Sequence, residues 1–223
     1  MDTNYSENNY LVLVGKVANE KVFSHEVYGE GFYSFDLEVP RLSENFDIIP
    51  VTVSERLLAG IDFKMGQKVV IDGQFRSYNN YENEKNKLVL TVFVKEIREQ
   101  TEEDANVNPN EIMLNGFICK KPIYRTTPFG REIADILLAV NRAYNKSDYI
   151  PCIAWGRNAR YCQNLEIGEN VKIWGRIQSR QYEKKFEDGT SEIRRAYEVS
   201  ISKMEIDKSA DNNTDCDLEE QKA

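Results

Sequence analysis

The sequence predicts an all-β protein made of two tandem copies of one small barrel. The first observation is a repeat: the segment Gly66–Gly73 returns as Gly168–Gly175 with four of eight residues identical, and the tripeptide that begins at Val39 returns at Val140. The second is an apolar period of two, and the third is a single short helical segment in each copy. The offset of 101 or 102 residues gives two modules of the usual domain size.

The strands follow from alternating apolar and polar residues. The alternation is clearest from Tyr33 to Val39 and from Ala134 to Val140. Short apolar runs that end at a glycine predict an opening strand in each copy. The glycines inside the fourth strands, Gly73 and Gly175, predict a bulge or sharp bend, as at a barrel corner. The remaining predicted strands are Leu11–Gly15, Ile112–Gly116, Val69–Phe75, Val171–Ile177, Leu88–Val94 and Tyr197–Ile201.

One helix is predicted after the third strand of each copy, over Ser54–Gly60 with Ser54 as N-cap and over Asn158–Leu165. Five strands with one helix after the third is the order of a Greek-key barrel of the OB type. A long polar hairpin joins the last two strands, at Tyr78–Lys87 and Gln181–Arg195, and Asp188-Gly189 favours a tight turn in the second.

The chain divides into four parts by composition. We expect an acidic N-terminal barrel at 1–100, a polar linker at 101–110, a basic C-terminal barrel at 111–206, and a disordered acidic tail at 207–223. Residues 1–105 carry 11 basic and 19 acidic side chains, residues 106–206 carry 16 and 12, and the tail carries 2 and 6. The total of −8 therefore hides a second module with a net charge of +4, which indicates different partners for the two halves.

Several classes of protein are disfavoured. The sequence contains no run of 18 apolar residues, so it predicts no membrane span. Its acidic N-terminus does not resemble a secretory signal. Four cysteines without a C-x-x-C pair argue against zinc and disulfides, so we expect free thiols in the cytoplasm. Without a catalytic motif, the sequence predicts no enzyme, no cofactor and no metal. His25 is expected to be solvated, and five carboxylates are expected to form an acidic surface: Glu26, Glu30, Glu38, Glu44 and Asp47.

The second module resembles the bacterial single-stranded DNA-binding proteins. The resemblance rests on Leu138–Arg142, Ile150–Arg157 and the run from Gly168 to Tyr182, in order and spacing across about 95 residues. The first module resembles the family more weakly, through the repeat. The whole chain is similar to tandem-barrel members, which implies a homodimer that assembles four OB-folds.

The resemblance implies a site in which bases stack on four aromatic residues of the second barrel, Tyr144, Tyr149, Trp155 and Tyr182. The corresponding positions of the first module are near Ser43, Ile48, Ser54 and Asn80, none of them aromatic. Phosphates would be bound by cations on the strands, on the hairpin and on the first loop. These are Arg142, Arg157, Arg180, Lys184, Lys185, Arg194, Arg195, Lys120, Lys121 and Arg125.

Alternatives stay open for several of these residues. Trp155 follows an apolar strand and could belong to the core. The hairpin cations alternate with glutamates, as they do in an ordinary solvated hairpin. Trp174 shares a strand face with Lys172 and Arg176, which favours a subunit or module interface.

The leading hypothesis is non-catalytic binding and protection of single-stranded DNA in replication, repair or recombination, at the nucleoid and alongside replication or repair proteins. The alternative is an OB-fold module for protein interaction, such as a primosome accessory, with weak DNA affinity. Family tails usually end in an acidic tip closed by an apolar pair. This chain instead ends in the acidic segment Asp215–Ala223, without an aromatic residue or proline.

Overall fold

The computed structural model describes residues 8–80, 87–186 and 189–206. The predicted disordered tail and the Asp188 position of the second hairpin lie outside the described residues. The first module contains β1 (Asn9–Val17), β2 (Val22–Val27), β3 (Glu30–Pro40), β4 (Phe46–Ser54), α1 (Glu55–Leu58), β5 (Lys68–Asn80) and β6 (Lys87–Glu99). The second contains β7 (Asn110–Ile118), β8 (Ile123–Thr126), β9 (Glu132–Arg142), β10 (Lys146–Trp155), α2 (Arg157–Cys162), β11 (Asn170–Lys185) and β12 (Ser191–Ile206).

Each module closes into a five-stranded barrel. In the first, the strands run in the order β3-β4-β6-β5-β1, and pairing of β1 with β3 closes the ring. The second repeats this with β9-β10-β12-β11-β7, closed by β7 with β9. The parallel pairs β4–β6 and β10–β12 complete the predicted OB-fold order, so the fold class is confirmed. Ser54 caps α1 as expected, since its Oγ accepts a hydrogen bond from the Arg56 N–H.

A sixth strand in each module was not predicted. β2 and β8 extend the barrels by pairing along β3 and β9. All residues of β2 are exposed. The strand therefore lacks the alternation of buried apolar and exposed polar residues from which the other strands were predicted. Because these strands pair on one side only, they are edge strands outside the closed ring.

The predicted bends occur at Gly73 and Gly175. The pairing register shifts immediately before each glycine. A Cβ at Gly73 would lie 2.5 Å from the Phe93 carbonyl oxygen, and one at Gly175 would lie 2.1 Å from that of Ser200. Neighbouring backbones can therefore approach this closely only at glycine.

The two barrels share one twelve-stranded sheet, because β1 pairs antiparallel with β7. The pairing is symmetric about Leu11 and Ile112, which both project into the core. Asn9 and Asn110 occupy equivalent places at the strand starts, where each amide side chain both donates to and accepts from the backbone of Phe75 or Ile177. An approximate two-fold axis therefore relates the modules.

The segment 101–110, expected to be a linker, contains a 3-10 helix over Glu102–Asn106 and ends in the first residue of β7. The helix is tied to the first barrel by Asp104, whose carboxylate accepts two 2.6 Å hydrogen bonds from Arg98. The Thr101 N–H and hydroxyl also donate to Asp104. These contacts hold the pKa of Asp104 well below its usual range, the Arg98 guanidinium contributing most.

Three cysteines in the described segments, Cys119, Cys152 and Cys162, carry free thiols. Burial raises the pKa of Cys152 well above its ordinary value and that of Cys162 to about 11, so both thiols are unreactive. Across residues 8–80, 87–186 and 189–206, the helices are too short or too polar for a transmembrane span.

Candidate nucleic-acid interface

Tyr149 and Trp155 lie on the outer face of β10. Their neighbours Asp148, Ile150 and Ala154 are buried on the inner face, whereas Tyr149 and Trp155 are 46% and 37% exposed. Strand alternation alone positions them, because successive side chains point to opposite faces. Both rings are therefore accessible to a ligand from outside the barrel.

Trp155 lies next to a cleft to which both modules contribute. Its indole N–H donates a 3.1 Å hydrogen bond to the Ser200 hydroxyl on β12. Ser200 in turn lines a cleft of about 810 Å³, with Arg176 of β11 on one side and Arg41 and Leu42 of the first module on the other. The aromatic face thus continues into a concave surface to which both modules contribute.

The ends of β11 and β12 form a two-stranded arm with rings and cations on one face. Tyr182 is directly paired with Arg194, and the guanidinium of Arg180 lies 5.9 Å from the centre of the Tyr182 ring. At the tip, Phe186 has the Lys184 ammonium 5.5 Å away and the Arg194 guanidinium 5.7 Å away. The sequence analysis missed Phe186, although its spacing from Tyr182 places it on the same face.

The opposite face of the arm contains the other two predicted cations. Lys185 is exposed. Arg195 donates to the Tyr197 hydroxyl and lies close to Asp36 of the first module. Burial raises the pKa of Asp36, and Arg195 opposes that rise. Arg195 therefore faces the first barrel and does not share the face that carries Tyr182.

The remaining predicted cations are dispersed. Arg157 is exposed at the start of α2, two residues after Trp155. Arg125 lies in β8 and not in the first loop, and it forms a bidentate contact with Asp135 on β9.

Lys120 and Lys121 do lie in the loop between β7 and β8, as expected. Lys121 is 3.6 Å from Glu166, in the loop that follows α2. Neither lysine contacts the four predicted aromatic residues in the described part of the chain.

Tyr144 and Arg142 belong to the β9–β10 hairpin, at its tip and at the end of β9. Tyr144 is 94% exposed in the turn, where its φ of 61° is rare for a side chain of this size. Arg142 lies 3.4 Å from the buried Asp148 carboxylate. It shares the inner face with Lys146, its partner across the hairpin.

The first module has a different outer face. Phe32 and Phe93 contact each other, His25 stacks on Phe32 at 4.9 Å, and the Arg76 guanidinium lies 3.9 Å from the centre of the Phe93 ring. These rings occupy positions that the sequence comparison of the repeats did not address. Asp47, expected on an acidic surface, is instead buried, because Arg41 and Arg176 bind its carboxylate.

The second barrel matches a family of known proteins. The model of the "Single-strand binding protein family" matches residues 109–207, which is the second barrel. Single-stranded DNA-binding protein B of Bacillus subtilis is 38% identical over 84 residues, covering 33% of this chain and 72% of the relative.

The chain belongs to the single-strand binding protein family.

Other members of this family match over a smaller share of their length. Single-stranded DNA-binding protein 1 of Staphylococcus aureus is 40% identical over 81 residues, which cover 33% of this chain and 48% of the relative. The chain therefore spans about half the length of such relatives. The crystal structure of the wild-type single-stranded DNA-binding protein from Thermus aquaticus superposes with a TM-score of 0.69 at 17% identity, covering 89% of this chain and 92% of that one. At that identity the likeness establishes the fold of the whole tandem arrangement.

Proposed function

We propose that the chain binds single-stranded DNA without catalysis, on the outer face of the second barrel. The observation that carries the proposal is the alignment of exposed rings and cations on that face, from Trp155 and Tyr149 on β10 to Tyr182 and Phe186 on the arm. Rings accept unpaired bases of any sequence by stacking, and cations neutralise the phosphates between them. The work of such a protein is to cover exposed strands during replication, repair or recombination.

The magnitudes are consistent with tight binding. Each stacked base contributes about 1–3 kcal/mol, so three or four rings outweigh the cost of ordering a short strand. The cations add a salt-dependent contribution, with a slope of about −0.7 for each phosphate neutralised. A duplex keeps its bases stacked on one another and offers no free ring faces, so the same surface discriminates against it.

The decisive experiment is a fluorescence titration with a dT oligomer and with a duplex. The chain contains two tryptophans, Trp155 and Trp174. In a Trp174→Phe background the signal therefore reports on Trp155 alone. We expect quenching by the single strand and weak binding of the duplex. Trp155→Ala and Tyr149→Ala should each weaken binding by about 1–3 kcal/mol.

Tyr161→Ala is the matched control, because Tyr161 is an exposed ring on α2 with 47% exposure, close to the 46% of Tyr149. Equal affinity for strand and duplex, or an unchanged affinity of Tyr149→Ala, would favour the protein-interaction alternative. Deleting the first module is a poor test, because it would remove β1 from its pairing with β7 and expose that edge.

We further propose that two copies associate through the outer face of the shared sheet, giving four barrels. An apolar stripe crosses this face along Val12, Tyr10, Met113 and Trp174. Trp174 has the Lys172 and Lys203 ammonium groups 5.3 and 4.4 Å from its ring centre. The Trp174-equivalent position of the first module is Asp72, which accepts a 2.8 Å hydrogen bond from Tyr10.

This contrast supports a second copy of the chain as the occupant. A two-fold axis that lies in the plane of the face and runs parallel to β1 and β7 brings the basic half of one copy over the acidic half of the other. The facing surfaces of the two copies then carry opposite charges.

A further inference from the structure

A second concave surface lies on the other side of the β9–β10 hairpin. It is a groove of about 430 Å³ between that hairpin and the outer face of the first module. Gln74 and Arg76 of β5 and Lys95 of β6 form one wall. Arg142 and Lys146 form the other, and Tyr144 stands at the rim. The lining residues include no carboxylate among those that the structure describes.

The approximate two-fold axis pairs this groove with the cleft beside Trp155. In the cleft, both cations bind the Asp47 carboxylate: Arg41 with contacts of 2.8 and 2.5 Å, and Arg176 with a third of 3.2 Å. The groove has Asp148 in the place of Asp47 and Gln74 in the place of Arg176. The two concave surfaces therefore occupy equivalent places in the two modules and differ in charge.

The cations of the groove are only weakly neutralised. Arg142 makes a single contact of 3.4 Å with Asp148, whose Oδ2 has no hydrogen-bond partner among the described residues. Among the described residues, Arg76 donates only to the neutral Gln74 side chain. Lys95 and Lys146 are exposed and form no ion pair with any described residue. Four positive charges thus line one groove with one nearby carboxylate beneath it.

Mutual repulsion indicates that these cations are poised for an anion. Burial lowers the pKa of Arg76, and the nearby Arg142 lowers it further. Asp148 opposes this lowering of the pKa, but its single carboxylate balances only one of the two positive charges, so their repulsion raises the free energy of the unbound protein. An anion placed between them relieves the repulsion and accepts hydrogen bonds from their unused N–H groups.

We propose that this groove binds backbone phosphates of a single strand that leaves the second barrel and crosses onto the first. The inference rests on the proposed function and extends it, because it assigns DNA contacts to the acidic module. Tyr149 faces one side of the β9–β10 hairpin, and Arg142 and Lys146 face the other, so a strand must pass over the tip. Tyr144 stands at that tip, fully accessible to a base.

The first module offers a continuation beyond the groove. Arg76 lines the groove and also stacks on Phe93, which contacts Phe32. Phosphates in the groove would therefore bring the following bases within reach of these two rings. The first module has few cations overall, but two of them, Arg76 and Lys95, line the groove that the strand would cross.

The test compares strands of two lengths on the full-length chain. A dT oligomer of about 8 nucleotides fits within the roughly 4–16 that one OB-fold holds, and one of about 35 exceeds the capacity of a single barrel. The double variant Lys95→Ala/Lys146→Ala removes the two unpaired charges of the groove. The control Lys64→Ala/Lys68→Ala removes two charges at the start of β5 and in the loop before it, and neither residue lines the groove.

We expect the groove variant to bind the long strand several-fold more weakly, with a salt slope smaller by about 1.4 for two lost phosphate contacts. Its affinity for the short strand, read by Trp155 quenching, should match that of the wild type. An unchanged slope for the long strand, or equal losses for both lengths, overturns the proposal. Failure of the wild type to bind the short strand would instead refute the proposed function itself.

Discussion

The Ser77 backbone N–H donates a 2.7 Å hydrogen bond to Asp148 Oδ1, across the boundary between the two modules. The Ser77 hydroxyl completes the link by accepting a 2.7 Å hydrogen bond from the Tyr149 N–H. The equivalent link joins Ser179 to Asp47, with N–H to Oδ1 at 2.6 Å. Each barrel thus binds the β-hairpin of the other, so the position of Tyr149 depends on the first module.

Substitution of the two aspartates is predicted to change the free energy of unfolding by different amounts. Burial raises the pKa of Asp148, so its charge is costly in the folded state. Asp148→Asn keeps an acceptor for Ser77 and should change the free energy of unfolding at pH 7 by less than about 1 kcal/mol. Asp47→Asn loses charged contacts with Arg41 and Arg176 and should cost about 1.5–3 kcal/mol. Urea titrations of both variants provide the measurement.

The same raised pKa predicts a pH dependence. The folded state binds the Asp148 proton more tightly than the unfolded state does. This group therefore adds stability as pH falls from its raised pKa toward the ordinary carboxyl value, and the addition is lost as pH rises again. Asp148→Asn removes this contribution. Identical pH profiles of stability for the variant and the wild type would contradict the assignment.

Phe186 at the arm tip is predicted to contact DNA. Its ring is already flanked by Lys184 and Arg194, so a base stacked on it lies between two cations. Phe186→Ala should weaken dT binding by about 1–3 kcal/mol. Phe129→Ala is the control, since Phe129 is 92% exposed in the β8–β9 turn, which belongs to a different hairpin. Equal effects of the two substitutions on affinity would contradict a specific contact between Phe186 and DNA.

Gly175→Ala is predicted to destabilise the second barrel. The new Cβ would lie 2.1 Å from the Ser200 carbonyl oxygen, and backbone on both sides leaves little room to adjust. We expect a loss of about 1–3 kcal/mol, typical of overpacking, together with an altered signal from Trp155, which bonds to Ser200. Ser202→Ala, beside the same bulge, should change the denaturation midpoint much less.

Met113→Asp is predicted to convert the proposed dimer into a monomer. Met113 lies half-buried at the centre of the apolar stripe, opposite Tyr10. In a symmetric dimer a central charge faces its own copy, so the substitution buries two like charges together. Sedimentation gives the mass directly, with Phe129→Asp as the control. A wild-type chain that sediments as a monomer would rule out this assembly.

The sequence predicted the barrel order, the helix positions and the glycine bends because each has a local cause. Alternation positions Tyr149 and Trp155, and the Cβ clash explains Gly73 and Gly175. Features that depend on the other module left no local signal. The sequence predicted Asp47 to be a surface carboxylate, because its partner Arg176 lies 129 residues away along the chain.

The candidate site was predictable in part. The family resemblance implied four aromatic positions, and all four side chains are exposed in the structure. Arg195 could not be separated from Arg194 without knowing which face of the arm meets Asp36. Arg76 and Lys95 escaped notice because the net charge of a module does not report where individual cations lie.

The antiparallel pairing of β1 with β7 has an evolutionary consequence. In a dimer of identical subunits, any substitution near the axis appears on both sides at once. A single chain with two unequal halves is free of that restriction, so Gln74 stands on one side where Arg176 stands on the other. Covalent fusion thus allows a symmetric scaffold to display an asymmetric charge pattern.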